Sequence, residues 1–371
     1  METRRAEPAI MTYLHRKGRQ LGVPVAGTFE LTARCNFHCP MCYVHMTEEQ
    51  IRQTGRELTA DQWLRIADEA RKEGMLLALL TGGEPLMRKD FFDIYRGMKQ
   101  MGLMICVNSN GSMLRGKVLE QLLQDPPFRL NISLYGGSNE TYQNMCGLPV
   151  YDTVRENIRT LRQAGVEVAL NLSVTPYNCR DLERIYADAR ELDVNVKAST
   201  YMYPPVRING QQFGCGNRFT PEEAARWAYA WDQLRFTPED FCQRNRNICA
   251  LQQEEEPDCM IEADEGVRCR AGATSFWVTW DGKMLPCGMM THPVADLLEE
   301  GFRQAWQTIR QQTAALRLPG KCTVCPKRPV CSVCAAVCQT ETGSFDAVPE
   351  YLCRQVDETI RLCSEHCGKE T

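Results

Sequence analysis

Residues 35–43 read Cys35-Asn36-Phe37-His38-Cys39-Pro40-Met41-Cys42-Tyr43, and this stretch decides how the rest of the chain is read. Its three thiols are spaced Cys-x3-Cys-x2-Cys and follow an apolar, β-prone run, Gly27-Thr28-Phe29-Glu30-Leu31-Thr32. That order describes a strand delivering a cysteine loop to the end of a sheet. Three soft ligands in one loop suit a metal cluster with one position left open for chemistry. A structural zinc site normally takes four ligands in two pairs, so a zinc knuckle here needs a distant fourth ligand. Buried thiols without a shared ligand are the remaining alternative.

At 371 residues the chain is too long for one simple domain and suits a main domain with an appendage. A net charge of −4 gives no basic field, which argues against nucleic acid as a partner. No run of about 18 apolar residues is present to span a membrane. The Arg4-Arg5 N-terminus lacks the apolar core and cleavage site of a signal peptide. Twenty cysteines without an export signal point to a cytoplasmic chain with metal or iron–sulfur sites rather than disulfides. A single three-thiol loop cannot account for that number.

Residues 1–24 read as a helical extension ending at Gly18 or Gly22. Its basic run, His15 to Arg19, is read as a solvated face, with an acidic peptide contact as the alternative. From 25 to 200 strand and helix signals alternate, with strands expected at 27–32, 76–81, 103–108, 129–134, 166–174 and 194–200. Helices are expected near 90–101, 114–124, 151–164 and 180–192, and from Thr59, an N-cap with Gln62 at the capping-box position. Six such units with unbroken apolar strands imply an α/β fold, a partial (β/α)6 barrel. Ligands in such folds collect at the C-terminal strand ends. There the second strand ends in Gly82-Gly83-Glu84-Pro85, where two glycines let a ligand approach the backbone and Glu84 suits an ammonium group. The third ends in Ser109-Asn110-Gly111 and the fourth runs to Ser133; Asn110-Gly111 is also an ordinary turn dipeptide.

The cysteine loop, with Gly-Gly-Glu one unit later, resembles the signature of the radical S-adenosylmethionine (SAM) superfamily. The resemblance implies a 4Fe–4S cluster on Cys35, Cys39 and Cys42, whose open iron takes the methionyl end of SAM. It further implies SAM contacts from Tyr43, Gly82, Gly83, Glu84, Pro85, Ser109, Asn110 and Ser133. The chain departs from the family pattern in two places. Tyr135-Gly136 stands where Asp-Gly is common, and Cys146-Gly147 where relatives place an Arg-Gly whose arginine meets the SAM carboxylate. Arg155 and Lys197 are weak substitutes, so the carboxylate partner stays unassigned.

Residues 201–265 form an irregular bridge with a helix from Thr220 (N-cap) and Pro221, on which Trp227 and Trp231 are read as a packed face. From 266 to 371 the cysteines are dense. Asp281-Gly282 marks a hairpin between Cys269 and Cys287, followed by Cys322-x2-Cys325-x5-Cys331-x2-Cys334-x3-Cys338 and then Cys353. This pattern resembles the SPASM extension of radical SAM enzymes, which carries two auxiliary 4Fe–4S clusters, three clusters in all. The resemblance gives one auxiliary cluster Cys269, Cys287 and Cys334, with Cys338 competing and Cys259 the fourth ligand if there is one. It gives the other Cys322, Cys325, Cys331 and Cys353. A zinc ribbon is the alternative for this region. Cys363, His366 and Cys367 are read as free groups at a terminus, and Cys106, Cys179, Cys215, Cys242 and Cys249 as structural.

Enzymes of this architecture cleave SAM reductively and use the deoxyadenosyl radical to modify ribosomally made peptides by thioether or carbon–carbon bonds, epimerisation or oxidation. The resemblance therefore implies a peptide substrate and a flavodoxin- or ferredoxin-type electron donor; with only 34 residues before Cys35, either a separate leader-binding protein delivers the peptide or the substrate is short or not a leader peptide. Relatives acting on tetrapyrroles supply the alternative, with Trp277, Trp280 and Tyr201-Met202-Tyr203 as aromatic contacts for either substrate. The formylglycine-forming branch has Asp after the hairpin cysteine, and Gly288 argues against that activity.

Overall fold

The structure, a computed structural model of the chain, describes residues 9–44, 46–207, 217–250 and 266–368. Cys215 and Cys259, the turn residues between 209 and 216, and the acidic run at 254–256 lie outside the described residues.

Helix α1 (Ala9–Leu21) leads into β1 (Ala26–Glu30), and two helices, α2 (Glu48–Thr54) and α3 (Ala60–Lys72), precede β2 (Leu77–Thr81). Helix α3 opens as its sequence requires, with Thr59 and Gln62 forming a capping box. Then follow α4 (Phe91–Gln100), β3 (Met104–Ser109), α5 (Lys117–Gln124) and β4 (Arg129–Ser133). Helices α6 (Asn139–Cys146) and α7 (Tyr151–Gln163) lead to β5 (Val168–Ser173), and α8 (Leu182–Glu191) to β6 (Asn195–Ser199). These six strands pair side by side in parallel, each within two residues of its expected bounds. The result is an open, partial barrel. Helix α6 was not foreseen: Ser138 caps its start and Gly147, at φ 83°, ends it.

Strand alternation sorts side chains between the helical layer and the lumen. On β1, Phe29 faces outward, edge-on to Trp63 of α3 at 5.9 Å between centroids. Full burial of such a side chain stabilises by roughly 1.5–3 kcal/mol. Its neighbours Thr28 and Glu30 face the other way, and Glu30 is 1 % exposed.

The bridge carries α9 (Pro221–Arg235), capped by Thr220 as expected, and α10 (Pro238–Ala250). Trp231 packs edge-on to Tyr186 and Trp227 stacks on Phe219, so this face is packing surface. Strands β7 (Ser275–Val278) and β8 (Lys283–Leu285) form the expected hairpin, with Gly282 at φ 91° in its turn. A two-residue strand β9 (Ala295–Asp296), α11 (Leu297–Ala315), α12 (Gly320–Thr323), α13 (Ala335–Thr342) and α14 (Glu350–Cys367) complete the chain. The cysteine-rich region is joined to the barrel by a shared sheet. Strand β7 pairs in parallel with β1, giving a nine-stranded order β6-β5-β4-β3-β2-β1-β7-β8-β9. No described helix is long and apolar enough to cross a membrane.

Candidate active site

The C-terminal end of β1 is clamped before the cysteine loop begins. Buried Arg88 donates to the carbonyls of Leu31 (2.8 Å) and Leu58 (3.0 Å) and pairs with Asp90. Thr32 bonds Glu57, which also holds Arg34 at 2.6 Å. From that anchor the loop turns with Cys42 N–H donating to the Cys39 carbonyl (3.1 Å), while Phe37 packs against Tyr135 and Tyr142.

The segment Gly82-Gly83-Glu84 lies against this loop. Gly83 N–H donates to the Thr32 carbonyl at 2.7 Å and Glu84 N–H to the Arg34 carbonyl at 2.8 Å. A Cβ on Gly82 would stand 2.5 Å from Thr32 O, and one on Gly83 2.3 Å from Arg34 O. The two glycines therefore answer to close contact with the cysteine-loop backbone, a contact that the sequence reading did not foresee. Glu84 is fully buried. Its Oε1 accepts from Ser109 Oγ (3.0 Å) and Leu86 N–H (3.1 Å), and its Oε2 from Asn110 N–H (2.7 Å). A carboxylate offers about four acceptor positions, so one stays open for an ammonium group. Burial pushes its pKa up to about 7 against the pull of these three bonds.

Ser109 and Asn110 thus hold Glu84 and the loop together. Asn110 Nδ2 also reaches Asn36 Oδ1 (2.9 Å) and Cys35 Sγ (3.8 Å), and Asn36 donates to Ser112 Oγ (2.9 Å). The sequence reading missed Asn36 and Ser112; polar residues beside a ligand loop are the only signal. Ser133 ends β4, where its carbonyl receives the Tyr142 hydroxyl at 3.5 Å. Pro85 opens the short turn after Glu84 and is buried. Arg155 is engaged by Asp188 and Glu191 away from the strand ends, and Lys197 is exposed on the edge strand β6, so neither reaches the SAM region. Cys146, in the place of the family arginine, is buried, and its carbonyl accepts from His38 N–H at 3.0 Å.

Burial pushes the Cys35 thiol up to about 12, with the charges of Glu84, Cys39 and Cys42 adding. The Cys146 thiol and then burial raise Cys39. Ligation needs thiolates, so loading such a site releases protons.

Two further thiol groups lie in the C-terminal region. Cys287 is half-buried, and burial pushes its thiol up to about 11, with the charges of Cys269 and Cys334 adding. The same three thiols surround Tyr203 and raise its phenol after burial. Cys322, Cys325, Cys331 and Cys353 line one cavity of 80 Å³ together with Val333, Leu352 and Val356. Cys338 is fully buried and lines no part of it, standing between Cys334 and the Cys322–Cys331 pair. Among the described residues no three His, Cys, Asp or Glu side chains are arranged to hold a single metal ion. By number and softness, three thiols with an open corner and four thiols around an apolar cavity fit iron–sulfur clusters.

Three expectations need correction. Trp280 is core, packed with Ala33, Met46 and Ile51. Tyr201 is committed to Glu341 (2.5 Å) and to the Tyr203 and Tyr351 rings. The terminal thiols are not free: Cys367 Sγ lies 3.5 Å from Cys249 Sγ, His366 Nε2 lies 3.3 Å from Cys242 Sγ, and Arg244 donates to Cys363. These residues form a seam between α10 and α14, which the sequence could not show because the two helices are distant in the chain.

A last group was not foreseen. Glu30 Oε2 accepts from Trp277 Nε1 (2.8 Å) and Arg207 Nη2 (2.9 Å). Tyr43 lies beside it, its phenol raised by burial, by Cys42 and Glu30 and by Cys287, with Arg207 opposing. Its carbonyl accepts from Val206 N–H at 3.0 Å. The group is thus linked through Val206 to Tyr43, next to Cys42, and through the Trp277 ring to Gly288, next to Cys287.

Residues 29–189 match the model of the radical SAM superfamily, and residues 269–338 that of the SPASM iron–sulfur cluster-binding domain. The chain belongs to the radical SAM superfamily and carries a SPASM domain; it is an enzyme of that class, using SAM and iron–sulfur clusters. It is 27 % identical over 328 residues to an AdoMet-dependent heme synthase of Methanosarcina barkeri (strain Fusaro / DSM 804), covering 85 % of this chain and 93 % of that one. It is 26 % identical over 322 residues to a PqqA peptide cyclase of Streptomyces rochei, covering 83 % of each. The fold matches Streptococcus suis SuiB bound to precursor peptide SuiA with TM-score 0.66 at 16 % identity, over 95 % of this chain and 82 % of that one.

Proposed function

We propose that this enzyme abstracts hydrogen from a peptide substrate and so installs a post-translational modification. Bound at Cys35, Cys39 and Cys42, a reduced 4Fe–4S cluster supplies the electron that cleaves SAM to a 5′-deoxyadenosyl radical. Glu84, with one acceptor position open, orients the SAM ammonium group, and Asn110 donates to Cys35 and steadies the loop. The observation that carries the reading is the Glu30–Arg207–Trp277 group, linked through Val206 to Tyr43 beside Cys42 and through the Trp277 ring to Gly288 beside Cys287. A substrate held there would lie beside residues next to both thiol sites, and a cluster on the second would supply an acceptor for an electron. Cys269, Cys287 and Cys334 hold one auxiliary cluster and Cys322, Cys325, Cys331 and Cys353 the other. The likeness to a PqqA peptide cyclase over most of both chains supports a peptide.

A tetrapyrrole substrate is the second reading, favoured by the likeness to heme synthases. Trp277 gives a reason for the disfavour of the formylglycine reaction. A Cβ on Gly288 would come within 2.7 Å of the Trp277 ring, so an aspartate has no room.

The test is anaerobic reconstitution with iron, sulfide, SAM and reductant. We expect about 12 iron per chain, 5′-deoxyadenosine formation, and stimulation of that formation by peptides and not by coproporphyrin. The reverse preference would overturn the peptide reading.

A further inference from the structure

We propose that Glu30 and Arg207 form a subsite for the backbone of the peptide, a reading that rests on the proposed function above. Glu30 is 1 % exposed, and its Oε2 is doubly bonded, to Trp277 and Arg207. Among the described residues its Oε1 is buried with no partner, and so is Nε of Arg207. Leaving such atoms unpaired costs roughly 1–3 kcal/mol each, so a purely structural ion pair gains nothing from this arrangement. One open acceptor and one open donor, carried by a pair with no net charge, call for an uncharged group that both donates and accepts. An extended peptide residue is such a group, because its N–H and C=O point to the same side, as they do when two strands pair.

The other occupants of the lumen do not fit. Cluster sulfides accept hydrogen bonds and have nothing to give a carboxylate. Apart from Tyr43, which lies beside Glu30, the residues read as holding SAM sit at the ends of β2, β3 and β4, whereas Glu30 and Trp277 lie at β1 and β7, on the side of the SPASM domain. The carboxylate is also fixed in direction. Trp277 is seated on Gly288, where no Cβ fits beneath the ring, and its indole N–H holds Oε2 so that Oε1 takes the substrate.

The experiment uses the full chain, reconstituted anaerobically with its clusters and SAM, and a displayed library of random short peptides. Glu30→Gln keeps an acceptor toward Arg207 and Trp277 but puts an NH2 donor where Oε1 was. We expect enriched peptides to bind Glu30→Gln on the order of ten- to a hundred-fold more weakly, with iron content unchanged and the chain still folded at the assay temperature, its melting temperature lowered because buried Arg207 loses its counter-charge. N-methylation along an enriched peptide should then find one position that weakens binding to the wild type and is neutral in Glu30→Gln. Should Glu30→Gln fold poorly, Arg207→Lys keeps the charge pair, removes Nε, and should also weaken binding. Equal affinity of wild type and variants for the enriched peptides would overturn the subsite and leave the peptide reading standing. Retention of coproporphyrin with no peptide enriched would overturn both.

Discussion

Gly83→Ala tests whether the Gly-Gly-Glu segment acts first as a rest for the cysteine loop. Gly83 has no left-handed φ, so the substitution adds no backbone strain and its effect is one of space. The new Cβ would stand 2.3 Å from Arg34 O and 2.6 Å from Arg34 C. These are backbone atoms, so no side chain can swing aside. To reach the 3.4 Å of ordinary contact the loop must retreat by about 1.1 Å. That retreat lengthens both backbone bonds joining the segments, Gly83 N–H to Thr32 O and Glu84 N–H to Arg34 O. Two bonds at about 1 kcal/mol each, with roughly 1 kcal/mol or more of overpacking, make a loss of about 3 kcal/mol. Cys35 lies one residue beyond Arg34, so the shift also misplaces a ligand. Urea unfolding of the reconstituted protein reads the stability, and iron analysis reads the site: we expect loss of about four of about 12 iron per chain. Gly102→Ala is the control, since φ is 84° there and nothing lies within 4 Å; it should cost about 1–2 kcal/mol of strain and no iron. Full iron content and wild-type stability in Gly83→Ala would refute the reasoning.

The raised pKa of Glu84 makes two further tests. Its carboxyl titrates near 7 in the folded chain against an ordinary 4.5, so stability present below about 4.5 is lost as pH rises toward 7, on the order of 3 kcal/mol at most; Glu84→Gln should flatten the melting-temperature profile of the cluster-free protein in that window. SAM affinity should rise with pH through about 7, as the carboxylate that faces the ammonium group forms, and a flat calorimetric profile would count against that contact. Cys334→Ser should remove about four iron per chain and Cys338→Ser none; the opposite pattern would exchange their roles. Gly288→Asp should drive Trp277 from its seat and unlatch Glu30, abolishing product at unchanged iron, whereas retained turnover would show the Trp277 latch to be dispensable.

The parts of the site that were legible in the sequence are those with strong local spacing. Cys35, Cys39 and Cys42 share one loop, Gly82-Gly83-Glu84 one turn, and Thr59 and Thr220 announce their helices by chemistry confined to four residues. What escaped depends on pairing across the fold. A glutamate ending a strand reads as an ordinary polar edge, and only the arrival of Trp277 and Arg207, about 247 and 177 residues away, makes Glu30 a buried group. The seam of Cys242, Cys249, His366 and Cys367 is invisible for the same reason. Helix α11 was hidden by Gly301, whose non-helical φ of 71° interrupts it. At Gly82 and Gly83 the sequence shows that glycine is needed and not that the cysteine-loop backbone is a neighbour that needs it.

The parallel pairing of β7 with β1 bears on how the chain matures. A strand that begins at residue 26 waits for one that begins at residue 275, so during synthesis the barrel emerges with a raw border of unpaired amides for most of its length of translation. Exposed borders of this kind invite cross-pairing between nascent chains. A version cut before residue 275 would therefore be a sticky half-molecule and not a smaller enzyme. The strand that leads into the cysteine loop is therefore sealed on this side only once residues 275–278 have been made.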